Sequence, residues 1–152
     1  MLDVKVKKVD QNAKLPTYAT SGSACFDLYA LSVNKSMDNG AILTKDNPVV
    51  CGTGLEFEIP EGFAMKIYSR SGHGFKNSVR LINCTGIIDS DYRAEVMVKL
   101  VCDMDGDGLE IKPGERVAQG EIVRVEQCSF IETDTLSETE RGTGGFGSTG
   151  KN

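Results

Sequence analysis

Apolar and polar residues alternate with a period of two along much of this chain. The alternation is clearest in residues 2–7 (LDVKVK), 55–59 (LEFEI) and 95–102 (EVMVKLVC). Successive side chains of a strand point to opposite faces, so each segment predicts a strand with one face toward a core. Only residues 71–77 are expected to hold a short helix. Turn residues separate the alternating segments, at 39–40, 60–62, 105–108 and 113–114. Short strands with this punctuation predict an all-β barrel or sandwich.

The pattern changes after Phe130. The remaining sequence, IETDTLSETERGTGGFGSTGKN, is polar and acidic and then rich in glycine, with little to bury. We therefore predict two parts: a β-domain over residues 1–130 and a flexible C-terminal arm over residues 131–152. The arm is either an inert tail or a segment that becomes ordered over a ligand.

Composition narrows the class of protein. A chain of 152 residues with 39% hydrophobic residues can form one globular domain with its own core. No apolar run reaches the 18 or so residues of a membrane span, and the first ten residues lack the apolar stretch of a signal peptide. A cytoplasmic protein that does not bind membranes is expected. The net charge of −5 argues against a nucleic-acid binder.

The cysteines do not form a metal-binding pattern. There are five of them, widely spaced and without a CxxC pair, and His73 is the only histidine. A zinc site of the usual spacing is therefore not expected. We predict that the cysteines are small buried apolar residues in a reducing compartment.

The glycine-rich end of the chain carries the most specific chemistry. The segment RGTGGFGSTG surrounds Arg141, Phe146, Ser148 and Thr149 with glycines. Glycine lets a backbone fold closely around an anion, and arginine offers a bidentate fork for phosphate. An aromatic ring can stack on a base. The segment suits a nucleotide, although its composition alone is equally that of a flexible linker.

Three further segments contain polar groups near strand ends. The run Arg70-Ser71-Gly72 follows a predicted strand and suits either an anion site or an ordinary turn. In NCTGIIDSDYRAE, the nearby carboxylates Asp89 and Asp91 could hold a metal, act as a base or cap a turn. In PGERVAQG, the residues up to Gln119 lead into a predicted strand. This segment is unremarkable on its own.

Taken in order, these segments resemble the five motifs of the trimeric all-β dUTP diphosphatases. The matching segments are ACFDLYA, YSRSG, GIIDSDYRAE, GERVAQG and RGTGGFGSTG. The resemblance extends from about Asp3 to Gly150. It implies a distorted, jelly-roll-like β-barrel that hydrolyses dUTP to dUMP and pyrophosphate with Mg²⁺. It also implies a homotrimer whose three active sites are shared between subunits.

The resemblance assigns roles to individual residues. Asp89 would orient and deprotonate the water that attacks the α-phosphorus. Contacts to the phosphates would come from Arg70, Ser71, Gly72, Gln119, Arg141, Ser148 and Thr149. Contacts to uracil and deoxyribose would come from Asn83, Gly86, Ile87, Ile88, Tyr92, Met97 and Phe146. Asp27 would reach the metal through water, a structural hydrogen-bonding role being the alternative.

Some positions depart from the common pattern of the family, namely Cys25, His73-Gly74, Ala94 and Gly120. None of them removes a group that the mechanism needs. Two other functions remain open on the sequence: a dCTP deaminase, which shares the fold, and a regulatory protein with a second partner. The segment DMDGDG (103–108) resembles the start of an EF-hand loop. Its twelfth position is Gly114 rather than glutamate, so we predict a hairpin turn there.

Overall fold

The computed structural model describes residues 2–145 and consists mainly of strands. The strands are β1 (Lys5–Lys8), β2 (Thr17–Tyr18), β3 (Phe26–Tyr29), β4 (Ser32–Val33), β5 (Ala41–Leu43), β6 (Val49–Gly52), β7 (Leu55–Glu58), β8 (Phe63–Tyr68), β9 (Val79–Leu81), β10 (Thr85–Ile88), β11 (Met97–Cys102), β12 (Leu109–Ile111) and β13 (Arg116–Arg124). Helix α1 (Ser71–Asn77) is the one helix of this part of the chain and buries none of its residues. The all-β prediction with one short helix is confirmed. No described helix is long and apolar enough to cross a membrane.

The strands form two larger antiparallel sheets and two small ones. The five-stranded sheet has the order β10-β8-β13-β3-β2, and the four-stranded sheet has the order β4-β6-β11-β9. The pairs β1-β7 and β12-β5 complete the fold. Within residues 2–145 these ladders do not close into one continuous barrel, which agrees with the distorted barrel that was predicted.

The core takes side chains from both large sheets. Leu28 and Ile67 come from the five-stranded sheet, and Leu100 comes from the four-stranded one; each is at most 2% exposed. Burying a side chain of this size contributes about 1.5–3 kcal/mol relative to leaving it in water. The alternation of residues 95–102 holds for the buried side chains of Val96, Val98, Leu100 and Cys102. Val101, which it places on the opposite face, is also buried.

The cysteine prediction is only partly correct. Cys51 and Cys102 are buried, Cys25 is half-buried, and Cys84 and Cys128 are exposed; all five are free thiols. Burial raises the pKa of the Cys51 thiol to about 12, so this thiol is neutral and unreactive at physiological pH. Cys84 and Cys128 lie in connecting segments, where no sheet covers them.

The last strand ends at Arg124, and residues 125–145 contain neither helix nor strand. Several apolar side chains in this stretch are exposed, with Phe130 at 96% and Leu136 at 87%. The division into a β-domain and a C-terminal arm stays a prediction. Phe146, Ser148 and Thr149 lie outside the described residues.

The segment DMDGDG is not a hairpin turn. It connects β11, in the four-stranded sheet, to β12, which pairs with β5 instead. The hairpin prediction was wrong because a turn sequence marks a change of direction without identifying the strand that pairs next. Within the segment, Asp105 forms an exposed ion pair with Lys45 at 3.4 Å.

Candidate active site

Three strands of the five-stranded sheet bring the first group of predicted site residues together. Gln119 on β13 lies opposite Asp27 on β3 and opposite Tyr68 on β8. Residues directly opposite each other in adjacent strands project from the same face, so these three side chains share one face. Arg70 follows β8 by two residues in an extended conformation, at the start of helix α1. Ser71 and Gly72 are the first residues of that helix and are exposed.

Asp27 lies between two arginines, and we call Asp27, Arg70 and Arg116 the arginine cluster. Arg116 Nη1 donates to Asp27 Oδ2 at 3.2 Å, and Arg70 Nε lies 3.7 Å from Asp27 Oδ1. Arg70 Nη1 also donates to the backbone carbonyl of Arg116 at 3.2 Å. Asp27 is only 5% exposed, whereas the Arg116 side chain is about half exposed. Two guanidinium groups against one carboxylate leave a net positive charge, which suits an anion.

The arginine cluster has polar atoms whose hydrogen-bonding capacity is unused. Asp27 Oδ1, Arg70 Nε and His73 Nδ1 are buried and have no hydrogen-bond partner within the described chain. Unsatisfied buried polar atoms are uncommon and costly, so they mark a place where a ligand or water completes the structure. The sequence had already suggested Asp27 and Arg70 for a site, and the structure places them side by side.

Sequence reasoning missed Arg116 and His73 as members of this region. His73 Nε2 lies 3.5 Å from Arg70 Nη1. Burial lowers the pKa of His73, and the nearby Arg70 charge lowers it further, against a smaller opposing effect of Glu115. His73 is therefore neutral at physiological pH. The available signal was the three-residue spacing from Arg70, the N-cap of helix α1, to His73 in its first turn.

Tyr68 and Glu121 form a second pair that the sequence did not suggest. Tyr68 Oη donates to Glu121 Oε1 at 2.6 Å. This hydrogen bond to the carboxylate is the main reason that the pKa of Tyr68 is raised to about 12. Tyr68 is therefore a fixed donor, on the same face of the sheet as Gln119.

A second group of predicted residues lines a cleft of about 300 Å³, which we call the base cleft. Its predicted members are Asn83, Gly86, Ile87, Ile88 and Met97. Strand β10 and the turn before it form one wall, while β8 and the start of β11 supply the others. A Cβ atom at position 86 would lie 3.2 Å from the Ile67 Cβ, so glycine allows close packing there. The cleft combines an amide, backbone groups and apolar side chains.

Asp89 and Tyr92 lie beside the base cleft rather than among its lining residues. Asp89 follows the end of β10 and faces a separate groove of about 760 Å³, together with Glu61, Asp91 and Arg93. The Tyr92 backbone N–H donates to the Asp89 carbonyl at 3.2 Å, which closes a tight turn. Within residues 2–145, no group of three or more Asp, Glu, His or Cys side chains is arranged so that it could hold a metal ion.

Asp89 and the arginine cluster do not meet within one chain. Ile88 on β10 pairs with Met65 on β8, so Asp89 lies near the level of Ala64, while Arg70 is six residues beyond Ala64 and two past the end of β8. At about 3.3 Å per residue, this separates their backbones by about 20 Å. The Arg70 guanidinium also points toward β13 and β3, on the far side of β8 from β10. A site that uses both residues must therefore combine two copies of the chain.

Arg141 lies on an exposed turn and joins neither group. Its backbone carbonyl accepts from Gly144 N at 3.0 Å. No hydrogen bond or ion pair links its side chain to the rest of the described chain.

The fold and these contacts define a class of protein first. It is an all-β protein with a positively charged cluster and a separate small cleft lined by an amide, backbone groups and apolar side chains, a combination that suits a nucleotide. The dUTPase family model matches residues 11–150, and the chain belongs to that family.

Relatives and solved structures agree with this assignment. The chain is 43% identical to the deoxyuridine 5′-triphosphate nucleotidohydrolase of Nautilia profundicola, over 99% of this chain and 100% of that protein. It is 40% identical to that of Caulobacter vibrioides, over 98% and 95% of the two chains. Staphylococcus bacteriophage 80alpha dUTPase with dUPNHPP has the same fold, with a TM-score of 0.83, 23% identity and 99% of each chain covered. A mutant dUTPase from the S. aureus phage phi11, described with a structural Mg(II) ion, has a TM-score of 0.73 at 19% identity, over 89% and 99% of the two chains.

Proposed function

We propose that this chain hydrolyses dUTP to dUMP and pyrophosphate by attack of water on the α-phosphorus. The main support is the base cleft. This chain belongs to the dUTPase family, and five of its residues that suit a uracil base surround this one small cavity. The arginine cluster supplies the second requirement, a positively charged site for the phosphates.

Base selection follows from hydrogen-bond complementarity in the base cleft. Uracil presents an N3–H donor between two carbonyl acceptors. The Asn83 amide and the backbone around Gly86, Ile87 and Ile88 are proposed to match this pattern, with Met97 closing the cleft. Cytosine reverses two of these groups and would leave buried polar atoms unpaired, which costs about 1–3 kcal/mol for each group. The extra methyl group of thymine would meet the closely approaching backbone.

Tyr92 and Phe146 are proposed to enclose the sugar and the base. The Tyr92 ring would lie under the deoxyribose and leave no space for a ribose 2′-hydroxyl. Phe146 would stack on the uracil when the arm closes over the site. Base–aromatic stacking of this kind contributes about 1–3 kcal/mol for each base.

Asp89 is proposed as the base that orients the attacking water and takes its proton. Aspartate is a weak base at neutral pH, so proton transfer alone supplies a modest part of the acceleration. The larger part would come from positioning and from charge neutralisation on the phosphates. Arg70, Ser71, Gly72 and Gln119 are proposed to make those contacts. Arg141, Ser148 and Thr149 are proposed to add theirs from the arm.

The metal-binding groups in residues 2–145 fit a Mg²⁺ ion that arrives bound to the substrate. They do not fit an ion that the protein alone would hold. Asp27 Oδ1 is a carboxylate oxygen without a hydrogen-bond partner in this part of the chain, and no acidic cluster surrounds it. Mg²⁺ keeps several waters and is commonly held by phosphates with one or two carboxylates. Asp27 is therefore proposed to contact the hydrated ion, which would neutralise phosphate charge. The structural Mg(II) ion described for the phage phi11 enzyme supports a role for this metal in the family.

The proposed assembly is a homotrimer with shared active sites. The separation of about 20 Å between the backbones of Asp89 and Arg70 supports this proposal, because the residue that activates the attacking water and a residue that contacts the phosphates must both reach the same triphosphate. The C-terminal arm is proposed to complete the site from a third chain. Removing residues 141–152 should then abolish most turnover and leave the oligomer unchanged in analytical ultracentrifugation. Full activity of the shortened chain would refute the role of the arm.

One assay tests the function directly. Pyrophosphate release is measured with dUTP, dCTP, dTTP and UTP at equal concentrations and with Mg²⁺. Only dUTP should be hydrolysed efficiently, and Asp89→Asn should lose turnover while still binding nucleotide. Ammonia release from dCTP would instead identify a deaminase.

A further inference from the structure

Arg80 contacts the segment that presents Asn83 to the base cleft. Arg80 is the middle residue of β9, and its Nη1 donates to the backbone carbonyls of Leu81 and Ile82, each at 3.2 Å. Leu81 and Ile82 both line the base cleft, immediately before Asn83. Arg80 itself is not among the lining residues. Its side chain thus holds the cleft wall from outside.

Asp103 fixes the orientation of Arg80 with two parallel hydrogen bonds. Arg80 Nε donates to Asp103 Oδ2 at 2.7 Å, and Nη2 donates to Oδ1 at 3.0 Å. These bonds raise the pKa of Arg80 and lower that of Asp103. Asp103 is held in turn, because its backbone N–H donates to the Ser78 carbonyl at 3.0 Å. The first residue of the DMDGDG segment is therefore connected to the base cleft through one arginine.

The rest of this loop is also tightly hydrogen-bonded, except at the Asn83 side chain. Ile82 N donates to the Lys99 carbonyl at 2.9 Å, and Cys84 N donates to the Leu81 carbonyl at 3.1 Å. Cys84 has a φ of +63°, which residues other than glycine rarely adopt. In residues 2–145 the Asn83 side-chain amide has no hydrogen-bond partner. The backbone is fixed while the amide is left available.

The physical value of the Arg80–Asp103 pair lies in orientation more than in stability. Both side chains are about half exposed, at 40% and 51%. Ion pairs with this exposure contribute little to folding because water and salt screen them. A guanidinium nevertheless donates in several fixed directions at once, which a lysine ammonium cannot reproduce. Here four such bonds join two carbonyls of the cleft wall to one carboxylate.

We propose that Arg80, anchored by Asp103, is a positioning residue for base selection. By holding the Leu81 and Ile82 carbonyls it fixes the turn that carries Asn83, and thereby the direction of the amide toward the base. It touches neither the substrate nor the reacting atoms. The inference rests on the proposed function, since it concerns how the same cleft selects uracil.

The test compares Arg80→Met, Arg80→Lys and Asp103→Asn with the parent enzyme. Arg80→Met should raise the KM for dUTP about tenfold, because the loss of hydrogen bonds to a charged group has an effect of this size. The change in kcat should be less than about twofold. Arg80→Lys should have the same effect as Arg80→Met, because lysine lacks the guanidinium that makes two parallel hydrogen bonds to Asp103. Asp103→Asn should have a smaller effect in the same direction. The preference for dUTP over dCTP, measured as the ratio of kcat/KM, should fall in the same order.

Asp105→Asn is the matched control, because it removes a carboxylate from the same segment whose one ion pair within residues 2–145 is with the exposed Lys45. It should leave KM and base preference unchanged. Equal KM values for Arg80→Met and the parent would overturn the proposal. It would also be overturned if kcat and Tm both fell in Arg80→Met while the preference for dUTP over dCTP stayed the same. If Arg80→Met does not fold, Asp103→Asn decides between the same outcomes.

Calorimetric binding of dUMP and dCMP to the same variants separates this inference from the proposed function. A parent chain that does not turn over dUTP would refute the function. A preference for dUMP that weakens in Arg80→Met would still support the positioning role, and an unchanged preference would refute it.

Discussion

His73 is an imidazole placed against a permanent cation. Arg70 can only donate hydrogen bonds, so a hydrogen bond to His73 Nε2 requires that nitrogen to be the acceptor. The proton of the neutral ring then lies on Nδ1, which is buried and lacks a partner in the described chain. A protonated ring would present a donor, and a positive charge, to Arg70. The contact thus favours the neutral form, as does burial.

Folding stability should therefore fall as the pH drops below the ordinary histidine pKa. The pKa of His73 is lowered in the folded protein, whereas the unfolded chain has a value near about 6.5. Above that value neither state binds the proton, and the stability is fully present. Below it the unfolded chain binds the proton first, so stability is lost until the folded pKa is passed. Thermal unfolding between pH 7.5 and 5 measures this loss.

His73→Leu is the matched variant, because leucine occupies the same partly buried position without an ionisable group. His73 is the only histidine in the sequence, so no other imidazole contributes in this pH range. The variant should show a flatter dependence of Tm on pH. Parallel curves for the two proteins would contradict the prediction.

At the residue scale the sequence identified groups better than it identified contacts. Asp27 and Arg70 were suggested as separate members of two motifs, but Arg116 as the partner of Asp27 was not. That contact depends on the pairing of β13 with β3, which includes a register irregularity between Arg116 and Ala118. A bulge of this kind redirects a side chain and is not visible in the local sequence. Arg80 was missed because its partner Asp103 follows a different strand, β11, and nothing in the local sequence shows that the two meet.

Among the strands, the pairing of β13 with β3 explains one departure from the family pattern. Gly120 lies opposite Phe26 and also opposite Ile67 on β8. A Cβ atom at position 120 would lie 2.5 Å from Phe26 Cε2 and 2.7 Å from Cζ, closer than atoms can approach. The Phe26 ring fills the space that an aliphatic side chain at position 120 would need.

Gly120→Ala should therefore destabilise the protein by about 1–3 kcal/mol, the usual cost of overpacking. This effect opposes the gain of about 0.5–1 kcal/mol that alanine normally brings over glycine inside a strand, so its sign is informative. Urea unfolding at one fixed protein concentration measures it. Gly22→Ala is the control, because its Cβ would meet no atom within 4 Å.

The double variant Phe26→Leu/Gly120→Ala makes the test specific. A smaller ring-free side chain at position 26 should recover part of the loss, which gives a coupling free energy between the two positions. Additive effects would show that the Phe26 ring is not the cause.

Strands were predicted accurately where the pattern of apolar residues within the strand determines its structure, and less accurately where pairing with a distant segment determines it. Alternation in 55–59 predicted β7 well, since the buried Leu55 and Phe57 are two residues apart. Val101 broke the alternation, because both faces of β11 are covered at that end and this side chain is buried together with those of Leu100 and Cys102. The connection after Cys102 was taken for a hairpin because the partner of β12 is β5, far away in the sequence. Long-range pairing has no signal in the turn itself.

At the scale of the whole molecule, the positions of Asp89 and Arg70 predict complementation between inactive chains. Asp89→Asn and Arg70→Gln should each lose at least about 100-fold in turnover, the usual contribution of a positioned base or phosphate contact. The two chains are produced together with different tags and purified on both, which selects mixed oligomers. If each site takes Asp89 from one chain and Arg70 from its neighbour in a closed trimer, about one third of the sites in every mixed trimer have both native residues. Turnover should return to about one third of the parent value.

The control pairs two variants of the same region, Arg70→Gln and Gln119→Ala. Gln119 pairs with Tyr68 at the end of β8, two residues before Arg70 in the same chain, so neither chain of this mixture can supply both groups to a site. No activity should return, although the oligomers are mixed to the same extent. Restoration in both mixtures would mean that subunit exchange or contamination produces the activity. Restoration in neither mixture would place Asp89 and Arg70 in the site of the same chain. The geometry opposes this, because the two residues follow the ends of β10 and β8 at opposite ends of the paired strands, about 20 Å apart.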